Sequence, residues 1–301
     1  MKIGITTDSG IVQKSEDIIV VPLIIIDDPH EYRDGIDITN EEIFKQRKIK
    51  TNSSAMRTWK TSTASPGDYL DAYEDCLKTN DRLIHLSISS GLSGAYNVSS
   101  QAASMMDNDN VHVIDSKQGA SGGAILLHIL QNLIEQGVSY KEIIDAMENY
   151  FVTKVKTFVF LPNAIGFAES GRDATGIERK KNIILAKGAS MAGIQVSVIT
   201  DNGRLYQSKK YRFKEENKPL EFVKALKKEF LEECKYIAYG GTFPNEEHME
   251  EIQDYLVNYI NEESINQEDL KVIRSDMSGV FAAYGCPGTF AVSGFRKSLK
   301  K

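Results

Sequence analysis

Two hydroxyl-rich segments are the part of this sequence whose residue types best suit ligand chemistry. One covers residues 89–94 (SSGLSG) and the other residues 61–66 (TSTASP), and each leads into a predicted helix. Helix N-termini carry N–H groups without intrahelical partners and a partial positive charge, and a nearby hydroxyl adds a donor. Because no candidate catalytic base lies near either segment in the sequence, the pattern predicts a pocket that holds an anion, either a phosphate or a carboxylate.

Ser93 also lies in a segment, residues 91–95 (GLSGA), that approximates the G-x-S-x-G motif of serine hydrolases. Ala95 stands where that motif has its second glycine, and the motif expects an acid and then a histidine downstream. None of the downstream histidines lies in a loop of its own. A hydrolase acting on an acyl ester through Ser93 is therefore the second hypothesis, and an enzyme that binds a phosphate or a sugar acid is the third. The histidines are His30, His85, His112, His128 and His248.

Signatures of phosphate loops and metal sites are missing from the sequence. There is no G-x-x-x-x-G-K-[ST] motif, and the glycines of residues 119–123 (GASGG) favour close packing of a helix on a sheet. No two histidines stand three to five residues apart, and no cysteine pair has the spacing of metal ligands. We expect Asp34 and Asp37 to form a turn rather than to bind a cation. The sequence thus predicts no metal and no cofactor.

Composition and charge argue against several classes of protein. The chain has 301 residues, of which 41% are hydrophobic and 26% charged, and its net charge is −6, which argues against nucleic acid or an anionic membrane as main partner. The three cysteines are far apart, as in reducing compartments. The first residues do not resemble a signal peptide, and the longest apolar run, residues 18–26, is too short to span a bilayer. These features predict a cytoplasmic protein without an integral membrane segment.

The elements that must position the hydroxyls alternate between strand and helix in the first half of the chain. Such alternation predicts a mainly parallel sheet with helices on both faces. The N-cap residues Thr39, Ser65 and Ser139 each have an acidic residue three positions later, as in a capping box. The predicted strands are residues 2–7, 18–26, 82–88 and 111–115, and the predicted helices are residues 39–46, 66–79, 94–106, 122–136 and 140–151.

The second half has a different pattern. Strands at residues 194–200 and 205–213 flank Asn202-Gly203, which predicts a β-hairpin. Hairpins mixed with βα units predict a mixed α/β (α+β) domain, so we expect two domains, residues 1–155 and 156–301. The other predicted elements are strands at residues 155–160, 236–239 and 270–273, and helices at residues 219–234 and 244–261.

Several of these segments together resemble the DegV family of bacterial fatty-acid-binding proteins, which serve as lipid-carrying subunits of fatty acid kinase. The matching pieces span nearly the whole chain in the order of the family. The combination of the L-S-G-x-Y turn with the T-S-x-x-S-P turn is specific. The pieces are Thr7-Asp8-Ser9, residues 34–38 (DGIDI), 61–66 and 89–96, Ile114-Asp115-Ser116, Gly171-Arg172 and Pro287-Gly288.

The resemblance implies that the protein is a binding protein rather than an enzyme. A long-chain fatty acid such as palmitate is the expected ligand, with its acyl chain in an apolar tunnel between the two domains. Transport of lipid, and presentation of the fatty acid to the catalytic subunit of a fatty acid kinase, are the expected roles. Family members with the kinase role often carry histidine where this chain has Tyr284.

The same resemblance implies which residues meet the ligand. Thr61 and Ser93 would hold the carboxylate, helped by N–H groups at a helix N-terminus near Gly94. Hydrogen bonds to a charged group contribute about 1.5–3 kcal/mol each, so no buried lysine or arginine is needed. The complete predicted set of ligand-binding residues is Thr61, Ser62, Ser90, Ser93, Gly94, Arg172 and Tyr284.

Overall fold

The N-terminal half of the chain alternates strands and helices, as its sequence pattern predicts. The structure, a computed structural model, describes residues 1–51, 59–106, 109–162, 165, 168, 176–227, 230–231, 234–242, 245–259, 270–285 and 288–296. In chain order the first elements are β1 (Ile3–Asp8), β2 (Ile19–Val21), β3 (Ile24–Asp27), β4 (His30–Arg33), α1 (Asn40–Thr51), β5 (Lys60–Ser62), α2 (Pro66–Leu77), β6 (Arg82–Ser87), α3 (Ala95–Met105), β7 (Val111–Asp115), α4 (Ala120–Glu135) and α5 (Tyr140–Ala146).

Helix α5 continues through a π-helical turn (Met147–Phe151) into the short helix α6 (Val152–Lys154). The elements that follow are β8 (Val155–Leu161), α7 (Gly176–Met191), β9 (Gln195–Asp201), β10 (Arg204–Tyr211), α8 (Lys218–Leu226), β11 (Cys234–Gly241), α9 (Glu246–Asp254) with a π-helical turn (Tyr255–Tyr259), β12 (Lys271–Arg274), α10 (Gly279–Ala282) and β13 (Phe290–Arg296).

A four-stranded sheet with the strand order β2-β1-β6-β7 organises the N-terminal half. Its strands are all parallel. Leu83 of β6 packs with α2 and α3 on one face, whereas Ile84 and Leu86 pack with α4 and α5 on the other. The predicted parallel sheet with helices on both faces is thereby confirmed.

A six-stranded sheet with the order β10-β9-β8-β13-β11-β12 organises the C-terminal half. Only β11 and β12 run parallel, and the other neighbours are antiparallel, which confirms the predicted mixed sheet. Asn202 and Gly203 both have positive φ angles, 45° and 80°, and close the predicted hairpin of β9 and β10. Strand β13, between β8 and β11, was not predicted from the sequence.

The prediction of one strand over residues 18–26 is wrong. The run is divided between β2, in the parallel sheet, and β3, which forms a separate three-stranded sheet with β4 and β5. Pro22 separates the two strands, and proline has no N–H to donate to a sheet ladder. The new sheet matters for the site because its strand β5 carries Thr61 and Ser62.

Helix α4 lies between the two large sheets. Its apolar side chains share one core cluster with Ile84 and Leu86 of β6 and with Val155 and Phe295 of the C-terminal sheet. Glycines permit this approach, because a Cβ atom at Gly122 would overlap the Thr157 hydroxyl. The predicted role of the glycines at residues 119–123 is therefore confirmed. The six-stranded sheet begins at Val155, while the division of the chain into domains near that residue stays a prediction.

In the described part of the chain, no helix combines the length and the apolar character needed to cross a membrane.

Ser65→Ala is expected to lower the free energy of unfolding by about 1 kcal/mol. Ser65 caps α2 with a full capping box: its Oγ accepts from Asp68 N at 3.2 Å, and Asp68 Oδ2 accepts from Ser65 N at 2.8 Å. Urea unfolding would measure the loss. An unchanged free energy of unfolding in this variant would contradict the assignment of Ser65 as the helix cap.

Candidate functional site

Thr61 and Tyr284, which are far apart in sequence, meet in the structure. Tyr284 follows α10, and its hydroxyl lies 2.8 Å from Thr61 Oγ1 and accepts a hydrogen bond from Thr61 N at 3.1 Å. Both residues are partly buried. A hydroxyl can donate and accept at once, and its hydrogen rotates to suit its surroundings. One of the two hydroxyl hydrogens makes the bond within the pair, so the pair can turn one hydroxyl donor towards a ligand oxygen.

An apolar pocket begins beside this pair. Tyr284 lines it, together with Leu92 from the loop before α3 and Gly119 and Ala120 from the start of α4. The cavity itself measures about 60 Å³, and the space counted out to the solvent at its mouth is about 650 Å³. The opposite wall belongs to the C-terminal half and consists mainly of Val159, Leu161, Val198, Leu205, Met277 and Phe281. The pocket thus lies between the two halves of the chain, and its lining also includes the hydroxyl residues Thr157, Thr200 and Thr289.

Ser93 and Gly94 lie at the start of α3, next to the strand that carries Thr61. Ser93 Oγ accepts from Ala95 N at 3.2 Å, and that bond leaves the hydroxyl hydrogen able to donate. Gly94 is the N-cap residue of α3, and a Cβ atom added to it would touch Thr63 Cγ2 at 3.4 Å. The segment that follows the Thr61 strand and the N-terminus of α3 are therefore neighbours, although Thr61, Ser93 and Gly94 are not themselves among the residues that line the pocket.

The prediction that both hydroxyl segments open helices needs a correction. Ser65 does cap α2, but Thr61 and Ser62 belong to strand β5, because Thr61 pairs with Ile25 of β3. No side chain caps α3. Thr61 and Thr63 share one face of the extended segment and Ser62 has the other, as the twofold period of a strand requires.

Three further predicted ligand residues lie apart from the Thr61–Tyr284 pair. Ser62 and Ser90 are exposed. Ser90 Oγ accepts from Lys117 Nζ at 3.3 Å, and Ser90 N donates to Asp115 Oδ1 at 3.1 Å. Arg172 lies outside the described residues. A ligand role for these three residues stays a prediction.

The loop that carries Ser93 rests on a buried carboxylate at the end of β1. Asp8 accepts hydrogen bonds from Ile88 N at 2.9 Å, Gly10 N at 3.0 Å and Ser87 Oγ at 3.0 Å. Burial raises the pKa of this carboxyl to about 6, although the same hydrogen bonds oppose the rise. From the sequence, Asp8 was noted only as part of the Thr7-Asp8-Ser9 motif, and no structural role was predicted for it.

The raised pKa of Asp8 predicts that the protein loses stability as the pH rises from about 4 to about 6. Over that interval the folded state binds more protons than the unfolded state, so the protonated carboxyl favours folding and ionisation opposes it. Urea unfolding at several pH values would measure the slope. Asp8→Asn should flatten it, and an unchanged slope in that variant would assign the dependence to other groups.

A second buried carboxylate, Asp34, ties the N-terminal half to helix α10. Ser9 Oγ donates to it at 2.7 Å, Gln13 Nε2 at 3.1 Å and Gly279 N at 2.9 Å. Burial is the largest cause that raises its pKa, and these hydrogen bonds oppose the rise. Residues 34–37 do form the expected turn, with Gly35 at a φ of +73°. Because α10 leads directly to Tyr284, Asp34 helps to set the position of Tyr284 in the pocket wall.

The histidines do not supply a base for Ser93. His85 is fully buried beside Thr6 Oγ1 at 2.9 Å, and burial lowers its pKa to about 3. His112 pairs with Glu148 at the surface, and His128 accepts from or donates to Asn132. None of the five is among the described residues that line the pocket. Within the same described ranges, no group of three or more histidine, cysteine or acidic side chains could hold a metal ion.

Comparison with known proteins identifies the family. The model of an uncharacterised protein family named DegV matches residues 2–297. A DegV domain-containing protein of Staphylococcus aureus is 29% identical over 260 residues, which are 86% of each chain. Another, from Caldanaerobacter subterraneus, is 34% identical over 151 residues, 48% of this chain and 52% of that protein.

Solved structures share the fold. A DegV family protein of Eubacterium eligens loaded with heptadecanoic acid superposes with a TM-score of 0.75 at 22% identity, over 98% of this chain and 100% of the other. The fatty acid kinase (Fak) B3 protein of Streptococcus pneumoniae, loaded with linoleic acid, gives a TM-score of 0.78 at 19% identity, over 99% and 100%. The match to the family model over nearly the whole chain, together with the shared fold of these solved structures, shows that this protein is a member of the DegV family.

Proposed function

We propose that this protein binds one long-chain fatty acid and acts as a carrier rather than as an enzyme. The observation that carries the proposal is the largely apolar pocket lined by Tyr284, whose hydroxyl contacts that of Thr61. A molecule with a long apolar body and a single polar group matches such a pocket. Both neighbouring structures described above contain fatty acids, which supports the same ligand class here.

The carboxylate in this proposal lies among Thr61, Tyr284, Ser93 and the N-terminus of α3. Neutral hydroxyl donors and the positive end of a helix stabilise a carboxylate, each hydroxyl bond contributing about 1.5–3 kcal/mol. Burial of roughly 15 methylene groups at about 0.8 kcal/mol each contributes on the order of 12 kcal/mol before the loss of ligand motion is subtracted. The acyl chain therefore supplies most of the affinity, and the head group fixes the register.

A partnership with the catalytic subunit of a fatty acid kinase is part of the proposal. Its support is the resemblance of the sequence to lipid-carrying kinase subunits and the shared fold with the Fak B3 protein. In such a partnership this chain would present the carboxylate at the mouth of the pocket, and the partner would supply the phosphoryl group.

The proposal can be tested by titrating the purified protein with ligands that differ at one end only. Palmitate should displace a fluorescent fatty acid, the alcohol of the same length should bind more weakly, and butyrate should not compete. Competition by butyrate or inorganic phosphate as strong as that of palmitate would contradict a fatty acid site. An unassisted serine is a poor nucleophile, so we expect no product from an activated acyl ester. A burst of product that Ser93→Ala abolishes would favour the hydrolase hypothesis instead.

Tyr284→His is expected to make fatty acid affinity depend on pH. A tyrosine donates a hydrogen bond, whereas a histidine becomes a cation near neutral pH and then attracts a carboxylate. The natural protein should bind with nearly constant affinity between about pH 6 and 8, and the variant should bind several-fold more tightly at the acidic end. Titrations at three pH values would show the difference. If both proteins give the same flat profile, residue 284 does not face the carboxylate.

A further inference from the structure

The turn of the C-terminal hairpin lies on the N-terminal loop that carries Ser93. Ser89 Oγ donates to the Gly203 carbonyl oxygen at 2.7 Å, across the boundary between the two halves of the chain. Ser89 Oγ in turn accepts a hydrogen bond from Gly91 N at 3.1 Å. Ser89 is fully buried, so this hydroxyl is shielded from water and its two bonds are not exchanged for solvent.

The two surfaces fit only because both carry glycine at the contact. A Cβ atom at Gly91 would overlap the carbonyl oxygen of Gly203, which is backbone and cannot rotate away. A Cβ atom at Gly203 would crowd Ser89 Oγ, and Gly203 also has a φ of +80°, which favours glycine. The close approach of the loop and the hairpin turn therefore requires glycine at both positions.

This contact joins the two ends of the proposed ligand site. Ser89 O accepts from Leu92 N at 2.9 Å and from Ser93 N at 3.0 Å, so Ser89 holds the turn that presents Ser93. The strands of the same hairpin contribute Val198 and Leu205 to the wall of the pocket. One residue thus bonds both to the loop at the head group and to the hairpin along the acyl chain.

We infer that Ser89 is a positioning residue for the carboxylate: through Gly203 and Gly91 it holds the Ser93 loop at the distance that the head group needs. The inference rests on the proposed fatty acid site. Ser89 does not reach the ligand itself, because its hydroxyl is occupied by the loop and the hairpin. Its loss should therefore weaken recognition of the head group and leave the apolar contacts of the chain in place.

The test compares affinity for palmitate with affinity for the alcohol of the same length, in the natural protein and in Ser89→Ala. A loss confined to folding would lower both affinities alike, whereas a displaced Ser93 loop lowers only that of the acid. We expect the acid-to-alcohol preference to fall about three- to tenfold, the range of one neutral hydrogen bond. An unchanged preference in Ser89→Ala would overturn the inference.

Gly91→Ala provides a second variant, since the added methyl group must push the hairpin and the loop apart. It should lower the same preference, and Gly188→Ala, a position with no atom within 4 Å of the added methyl group, should not. If Gly91→Ala and Gly188→Ala behave alike, the inference is wrong. If the natural protein binds acid and alcohol equally, the proposed carboxylate site and this inference are both refuted. If Ser89→Ala and Gly91→Ala both keep the natural preference for the acid over the alcohol, only this inference is refuted.

Discussion

Ser93→Ala is expected to weaken the binding of a long-chain fatty acid by about 10- to 150-fold without unfolding the protein. The variant deletes one neutral donor to a carboxylate at the start of α3, and Ser93 is only partly buried, so the fold loses little. Thr61→Ala should have a similar effect. The double variant should lose less binding free energy than the sum of the two single losses, because both hydroxyls bond one group. Displacement of a fluorescent fatty acid would give the affinities.

Ser104→Ala is the matched control for Ser93→Ala. Ser104 lies on α3, the helix that follows Ser93, is exposed, and donates to Gln101 O of the same helix at 2.7 Å. Its substitution should leave the affinity unchanged. Natural affinity in both Ser93→Ala and Thr61→Ala would show that the carboxylate binds elsewhere.

Asp34→Ala is expected to lower the free energy of unfolding by about 3–5 kcal/mol. The substitution removes the acceptor for Ser9 Oγ, Gln13 Nε2 and Gly279 N, and two of these donors are buried. A buried donor that loses its acceptor costs about 1–3 kcal/mol. Because Gly279 opens the helix before Tyr284, fatty acid affinity should fall as well. Urea unfolding and ligand titration would measure the two effects.

Asp37→Ala is the control, with the same residue type three positions later. Asp37 pairs with Arg33 at the surface, where the two side chains are 35% and 57% exposed, and solvent screens such a pair. Its removal should leave affinity unchanged and stability nearly so. Equal losses of stability in the two variants would show that the buried contacts of Asp34 are not what matters.

Local sequence signals predicted local structure well. The capping boxes at Ser65 and Ser139 have both reciprocal hydrogen bonds, and Thr39 and Glu42 bond in the same way at the start of α1. The Asn202-Gly203 turn joins the strands that flank it. Each of these depends on residues within a few positions of one another, which a sequence pattern displays directly.

Strand partners and strand limits were harder to predict, because they depend on residues far away. The run of residues 18–26 is continuously apolar, and only the tertiary fold places its two ends in different sheets. Strand β13 contains Gly294, whose missing side chain admits Cys234 and Phe230. In the sequence this glycine weakens the strand pattern, while in the fold it is required for packing.

The candidate site was hard to predict for the same reason, because its residues are far apart in the sequence. Thr61 and Tyr284 are separated by 223 residues, so no spacing rule could predict their hydrogen bond. Thr61 was noticed as part of a hydroxyl-rich segment, whereas Tyr284 entered the predicted set only through the family resemblance. The pocket walls were missed, because ordinary apolar residues such as Val159 and Phe281 carry no individual signal. Asp34 was predicted as part of a turn, but its bond to Gly279 appears only in the structure.

Native mass spectrometry of the protein as purified tests the central proposal most directly. We predict one bound molecule per chain, with the mass of a long-chain fatty acid, which organic extraction should release and Ser93→Ala should reduce. A protein that carries no such adduct, and that takes up no palmitate in a saturable manner when the acid is added, would contradict the account.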